Sequence, residues 1–183
     1  IRDRVYIIGA IGNDSYGKTV LDSIKDFNIG KTHIRTENGD TASNRTYLTP
    51  DGDRYYKDDS WNGGVFSSFA LSASDRDLLH SSDMVHTTFS GPNFNDVIDC
   101  CREKRFPLSV DFDICRDFDT IEKYLDCISL LFISGDEPTL EKAKQLSSKY
   151  PNTVFIVTLG ENGSTAFSKG TAYHCACLLY TSP

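Results

Sequence analysis

No apolar run in this sequence approaches the roughly 20 residues that a helix needs to cross a bilayer. The longest, Val5–Ile8 and Ser129–Ile133, are the length of strands. Positive charge is in deficit: 19 Lys and Arg stand against 26 Asp and Glu, for a net charge of −7. That argues against the electrostatic hold on nucleic acid or anionic lipid that a basic surface supplies. It leaves room for small phosphate-bearing molecules, because backbone N–H groups at a turn can cradle an anion without net positive charge. The six cysteines (100, 101, 115, 127, 175, 177) include no CxxC spacing, and the four histidines (33, 80, 86, 174) are scattered. Neither a zinc knuckle nor a CxxC redox centre fits that pattern. The cysteines read as free thiols of a reducing, cytoplasmic compartment. Internal repeats and low-complexity tracts are missing too. The Asn-x-Ser/Thr triplets at Asn13, Asn44 and Asn162 are of a kind that chance produces easily.

What is present is the composition of an ordinary globular domain, 39% hydrophobic and 25% charged over 183 residues. The chain opens at Ile1 without a methionine and enters a strand-like run almost at once. Its last seven residues, 177–183, resemble the translation of a sequencing adapter and are set aside from fold reasoning. Both ends are expected to be cut.

Val5–Gly9 reads as a buried strand, followed by a turn over Gly9–Asp14 and a helix from about Tyr16 to Phe27. Val20, Leu21, Ile24 and Phe27 fall on one face of that helix, and Asp14 or Ser15 can cap it. Residues 31–58 change character. Thr32–Arg35, Thr41–Leu48 and Arg54–Lys57 are strand-like, punctuated by Asn38-Gly39-Asp40 and Pro50-Asp51-Gly52-Asp53. They predict an exposed antiparallel β flap. From Ser72 onward the pattern is αβαβ. Helices are predicted over Ser72–Asp83, Asn93–Lys104, Thr120–Cys127 and Pro138–Lys149, and strands over Met84–Phe89, Pro107–Phe112, Ser129–Ser134 and Thr153–Leu159. Ser72 and Asp75 have the spacing of a capping box. Helices alternating with strands at this spacing imply a parallel sheet with both faces covered. A buried strand running into Thr158-Leu159-Gly160-Glu161-Asn162-Gly163 puts a glycine-flanked turn where open α/β sheets bind ligands.

Four stretches in order resemble the PfkB (ribokinase-like) carbohydrate kinase family. They are Ile11-Gly12-Asn13-Asp14-Ser15-Tyr16-Gly17; Gly39-Asp40-Thr41-Ala42 with Asp51-Gly52-Asp53-Arg54; Phe69-Ala70-Leu71-Ser72 with Asp83-Met84-Val85-His86; and Val157 to Ser164. Within the family they are most similar to the fructoselysine kinases. The resemblance implies a three-layer α/β/α fold with a small antiparallel β lid, incomplete here. Residues 1–30 and 59–176 would form the kinase core and residues 31–58 the lid. It implies ATP and Mg²⁺ as cofactors and a small-molecule sugar or sugar–amine acceptor, of fructoselysine type or another ketose or furanoside. It implies no nucleic-acid or membrane partner, and a homodimer formed through the lid.

By the same resemblance, Thr158, Gly160 and Gly163 belong to the nucleotide loop. Asp136 and Glu137 match the region of an Asn-x-x-Glu motif beside the metal-bound phosphates, with Asp136 a nucleotide contact and Glu137 a metal ligand. The match is imperfect, since Asp136 replaces Asn and Thr139 replaces Glu, so an acidic first turn serving only the helix dipole is the competing reading. Asp111 matches the start of an Asp-x-Asn-x-Arg stretch, and Asn44 and Arg54 are polar candidates for the sugar on the lid. The family's Gly-Gly-Asn and Gly-Ala-Gly-Asp segments do not occur in the sequence. The latter carries the general base, so no catalytic residue is assigned and the segment by itself is expected to be inactive. Two rivals remain open: a non-catalytic sugar- or nucleotide-binding module, and a flavodoxin-like domain, which would place a helical crossover in 31–58.

Overall fold

The computed structural model describes residues 4–52 and 54–177; residues 1–3, Asp53 and residues 178–183, the last six of the seven suspected adapter residues 177–183, lie outside them. The chain forms two compact units, residues 1–75 and 76–183.

The second unit is built on one six-stranded sheet. Its elements are β-strand Val85–Thr88, helix Phe94–Glu103, strand Leu108–Asp111, helix Phe118–Glu122, strand Ile128–Ser134, helix Glu137–Lys149, strand Val154–Thr158, and a final hairpin of Ser164–Ser168 and Thr171–Cys175. With the eight strands and two helices of the first unit numbered before them, these strands are β9 to β14 and the helices α3 to α5. The spatial order is β14-β13-β12-β11-β10-β9. Strands β9 to β12 are mutually parallel, as the αβ alternation predicts, whereas β13 and β14 run antiparallel. The sequence reading ends its last strand at Leu159 and misses that hairpin. The reason is local: apart from the buried Phe167, Ser164–Ser168 and Thr171–Cys175 are half-buried or exposed and mostly polar or small, so they carry no buried-strand signature.

Alternation with period two divides this sheet. Leu108, Val110, Leu131, Ile133, Phe155 and Val157 are all essentially buried. Helix α5 packs on β12 and β13, and α3 on β9. Val97, Ile98, Cys100 and Cys101 of α3 and Ala143 and Leu146 of α5 complete that core, whose apolar area is the main stabilising term. The predicted apolar face of α3 (Phe94, Val97, Ile98, Cys101) is the buried one. Helix α4 is shorter than the predicted Thr120–Cys127: it covers Phe118–Glu122, capped by Asp117, and continues as turns to Cys127.

The first unit comprises β1 (Val5–Tyr6), β2 (Gly9–Gly12), α1 (Ser15–Ser23), β3 (Ile29–Gly30), β4 (Ile34–Glu37), β5 (Ser43–Asn44), β6 (Tyr47–Leu48), β7 (Arg54–Tyr55), β8 (Trp61–Asn62), a 3-10 turn Gly64–Ser68 and the start of α2 (Ala73–Ser81). The predicted strand over Val5–Gly9 is therefore two strands. β1 pairs in parallel with β3 and β2 with β4. The stretch read as a turn from Gly9 is buried strand as far as Gly12, where the missing side chain admits the backbone of residues 39–41. Helix α1 stops at Ser23 rather than Phe27, and the chain then turns to place Ile29 beside Val5. Phe27 is left 65% exposed, off the face that periodicity gave it.

Within 31–58 the structure holds strands and no helix among the described residues, which removes the flavodoxin-like rival. The first predicted flap strand, however, belongs with β2. The antiparallel ribbon is made by β5 with β8 and β6 with β7, so it reaches Asn62. The rings of Tyr47 and Tyr55 stack at 5.4 Å, and the Lys57 ammonium lies 4.2 Å from the Tyr47 centroid.

Two polar clusters hold this unit. In one, Asp14 caps α1 by accepting from the Gly17 N–H (2.8 Å) and also accepts the Thr41 hydroxyl (2.6 Å) and N–H (3.0 Å). The Thr41 Oγ1 in turn accepts from the Gly12 N–H at 2.9 Å. These bonds, the Thr41 hydroxyl foremost, hold the Asp14 carboxyl down at about 2. The Gly-x-Asp-x-x-Gly motif is thus a clasp between β2, α1 and the segment that leads into the ribbon.

In the other cluster, Asp75 is buried with its side chain 2% exposed. It accepts from His33 Nδ1 at 2.7 Å and pairs with the Arg35 guanidinium at 2.9 Å. The predicted capping box is present: the Ser72 N–H donates to Asp75 Oδ2 (2.8 Å) and the Asp75 N–H to Ser72 Oγ (3.2 Å). Arg35 also donates to the Ala70 carbonyl and lies 4.1 Å from the Phe69 ring centroid. Burial alone would push the Asp75 carboxyl up. Hydrogen bonds from Ser72 and His33, with the Arg35 charge, outweigh it and hold the group below the usual Asp range.

Two outcomes follow for stability. Replacing Asp75 by Ala removes the buried acceptor shared by Ser72, His33 and the part-exposed Arg35 guanidinium and is expected to cost about 1–3 kcal/mol at pH 7. Because the folded carboxyl is depressed, that contribution is complete above about pH 4 and is lost as pH falls below it. Urea unfolding of the parent and D75A should therefore converge in acid. Separately, a Cβ at Gly12 would lie 2.1 Å from the Gly39 carbonyl oxygen, whereas one at Gly9 meets nothing within 4 Å. Gly12→Ala is expected to lower the urea midpoint sharply and Gly9→Ala to leave it nearly unchanged.

Candidate nucleotide site at the sheet edge

The parallel strands β10, β11 and β12 deliver their C-terminal loops to one edge. There the Ser134 N–H donates to the Asp113 carbonyl (2.7 Å), and the Gly135 N–H to the Thr158 carbonyl (2.8 Å). The second bond requires close approach: a Cβ on Gly135 would lie 2.4 Å from Val157 Cγ1. The three loops that the sequence singled out on separate grounds are thereby tied side by side.

The turn after β12 is a short 3-10 segment, Gly160–Asn162. Gly160 (φ 58°) and Gly163 (φ 82°) both occupy the left-handed region that glycine favours. Gly163 is also confined, since a Cβ there would meet the Cys175 carbonyl oxygen at 2.1 Å. Inside the turn the Leu159 N–H donates to Gly163 O, the Asn162 N–H to Leu159 O and the Gly163 N–H to Gly160 O. No hydrogen bond among the described residues engages the N–H groups of Gly160 and Glu161. Two successive unpaired N–H groups follow the exposed hydroxyl of Thr158 in sequence, donors of the kind that bind anions.

Asp136 is exposed and has a local structural role. It is the N-cap of α5, and its Oδ1 accepts both the Thr139 N–H (3.1 Å) and the Thr139 hydroxyl (2.6 Å). Those bonds hold its carboxyl below the usual range. Asp136 thus acts as the structural cap that the competing reading described. Glu137 opens α5 with its side chain exposed. No group of three or more His, Cys, Asp or Glu side chains among the described residues is placed to hold a metal ion. Asp111 ends β10, half-buried, and its Oδ1 accepts from the N–H of Asp113, which itself adopts φ 51°.

Thr158, Gly160, Gly163, Asp136, Glu137 and Asp111 therefore share one edge of the second unit. Asn44, opposite Trp61 in β5, and Arg54, opposite Leu48 in β7, are exposed on the ribbon of the first unit. Sequence reasoning missed two elements. One is the role of Gly135, whose only signal was a glycine directly after a buried strand. The other is Ser134, which faces Thr158 across the strand pair with its Oγ 3.3 Å from Thr158 Oγ1.

Comparison with known proteins agrees with this geometry. The model of the pfkB family carbohydrate kinase matches residues 2–180. The chain is 31% identical over 160 residues to fructoselysine 6-kinase of Escherichia coli (strain K12), covering 86% of this chain and 59% of that protein. It is 24% identical over 172 residues to fructosamine kinase FrlD of Bacillus subtilis (strain 168), covering 91% of this chain and 60% of that protein. The chain thus spans about three fifths of the length of these relatives. Among solved structures, Arabidopsis thaliana ribokinase complexed with ribose and ATP superposes with a TM-score of 0.74 at 18% identity, over 97% of this chain and 62% of that one. Ribokinase from Thermotoga maritima gives a TM-score of 0.70 at 16% identity, over 97% and 61%. The fold is ribokinase-like, and by the family match over nearly its whole length the chain belongs to the pfkB family of carbohydrate kinases.

Proposed function

We propose that this chain binds the phosphates of ATP at the C-terminal edge of β10 to β12 and supplies that half of an ATP-dependent kinase for a sugar or sugar–amine hydroxyl. The observation that carries the reading is the pair of unpaired N–H groups of Gly160 and Glu161 beside the exposed Thr158. Phosphoryl transfer asks a protein chiefly for positioning and charge stabilisation, and a rigid strand end followed by a glycine turn offers both. Thr158 and the turn would hold the phosphates, while Asp136 keeps α5 in place beneath them. Mg²⁺ is typically held by one or two carboxylates together with substrate phosphates rather than by an all-protein cage. The exposed Glu137 fits that arrangement, and the bound ion would neutralise charge on the transferring phosphate.

The acceptor is proposed from the relatives: a fructoselysine-like adduct, for which Asn44 and Arg54 are candidate contacts on the ribbon of the first unit. The exposed Leu48, Tyr55, Tyr56 and Trp61 of the ribbon support pairing of two lids in a homodimer, and the free thiols suit a cytoplasmic setting. The sequence holds no Gly-Ala-Gly-Asp segment to supply the base, so residues 1–183 alone are proposed to bind nucleotide without turning over.

Isothermal titration of residues 1–183 with ATP and Mg²⁺, together with an ADP-release assay using fructoselysine, tests both parts. Binding that weakens about tenfold or more in Thr158→Ala, without ADP release, is the expected result. Failure of the folded parent to bind ATP would overturn the site, and sugar-dependent ADP release would overturn the inactivity.

A further inference from the structure

The register of the sheet places three hydroxyls in one row at the edge just described. Ser134 of β11 pairs with Thr158 of β12, and Thr158 pairs with Ser164 of β13. Directly paired residues project to the same face of a sheet, so the three side chains stand together. Ser134 and Ser164 are half-buried and Thr158 is exposed.

Within the row, Thr158 Oγ1 donates to Ser134 Oγ at 3.3 Å. That is longer than the 2.5–3.0 Å or so of a settled O–H···O bond. Both side chains can therefore turn away from one another at little cost. Ser134 Oγ has no other hydrogen-bond partner among the described residues, and as an acceptor in this contact it keeps its own proton available. Its backbone is fixed, since the Ser134 N–H is bonded to the Asp113 carbonyl and the adjoining Gly135 N–H to the Thr158 carbonyl. A half-buried hydroxyl on an immobile strand end loses little conformational freedom when it binds.

Ser164 is a weaker candidate, because it lies on the far side of Thr158 from the loops after β10 and β11. Ser134 lies between Thr158 and the Asp111–Asp113 loop.

Resting on the nucleotide reading above, we propose that Ser134 and Thr158 act as a two-hydroxyl clamp on an anionic phosphate oxygen. Ser134 is then a ligand-contacting residue of the site rather than sheet scaffolding. The Ser134 hydroxyl donates to the phosphate beside that of Thr158. The clamp recognises the polyphosphate of the nucleotide, not its base or ribose.

Titration of residues 1–183 and three variants with ATP and with adenosine, each with a thermal melt, tests this. Ser134→Ala is expected to weaken ATP binding roughly tenfold to a hundredfold, the worth of a hydrogen bond to a charged group. Its melting temperature and any adenosine binding should be unchanged. Ser134→Thr, which keeps the hydroxyl, should recover most of the ATP affinity. Ser168→Ala, on the same face of β13 but at its opposite end, should bind ATP as the parent does. If the parent binds ATP and Ser134→Ala binds it equally well, the clamp is refuted while the site stands. A lowered melting temperature with a matching loss for adenosine would mark Ser134 as scaffold and refute it too. If the folded parent binds no ATP, the nucleotide reading itself fails.

Discussion

The hydrogen bond from the Gly135 N–H to the Thr158 carbonyl is the constraint on which the proposed chemistry rests. It brings the loop leaving β11 against the last residue of β12 at a separation where any side chain at 135 would collide with Val157 and Thr139. With the Ser134 to Asp113 bond, it aligns three strand ends that periodicity alone would leave at independent heights. The hydroxyl of Ser134, the exposed Thr158 and the unpaired N–H groups of Gly160 and Glu161 then occupy one edge. The energetic cost is small, because the buried alternation of Leu131, Ile133, Phe155 and Val157 already fixes the strands that carry them.

Glycine and aspartate have a different role in the first unit. Gly12, Asp14 and Gly17 have the spacing of a ligand-binding loop, yet Asp14 spends its carboxylate on Gly17 and Thr41. A Cβ at Gly17 would meet the Gly12 carbonyl oxygen at 2.1 Å. Gly64, at the other stem of the ribbon, would in the same way drive a Cβ to 2.2 Å from the Asp40 carbonyl oxygen. These glycines are needed because backbones touch there. A motif that identifies a family by sequence can thus be architecture, and the ligand chemistry can lie in residues the motif does not name.

Much of the second unit was legible beforehand. The run Leu140, Ala143, Leu146 defined α5, and the unbroken apolar stretches defined β11 and β12, since strands with one face buried and the other largely covered are written directly into residue type. The Ser72–Asp75 cap was legible for the same reason: its partners are three residues apart. What escaped was set by partners distant in sequence. His33 and Arg35 meet Asp75 forty or so positions on, and no local pattern announces that. β4 carries the composition of a flap strand but pairs with β2 instead of β5, because pairing depends on register between distant segments. At the candidate site Thr158, Gly160 and Gly163 were legible from the turn. The structure adds that Asp136 caps α5 through Oδ1, a role its position before Glu137-Pro138-Thr139 also fits.

The most direct test of the account is amide NMR of the ¹⁵N-labelled chain titrated with ATP and Mg²⁺. The account predicts that the largest shifts fall on Gly160 and Glu161, with Thr158, Ser134 and Gly135 next, and that adenosine leaves Gly160 and Glu161 unmoved. Shifts centred on the β5–β8 ribbon, or an ATP response that spares Gly160 and Glu161, would contradict it.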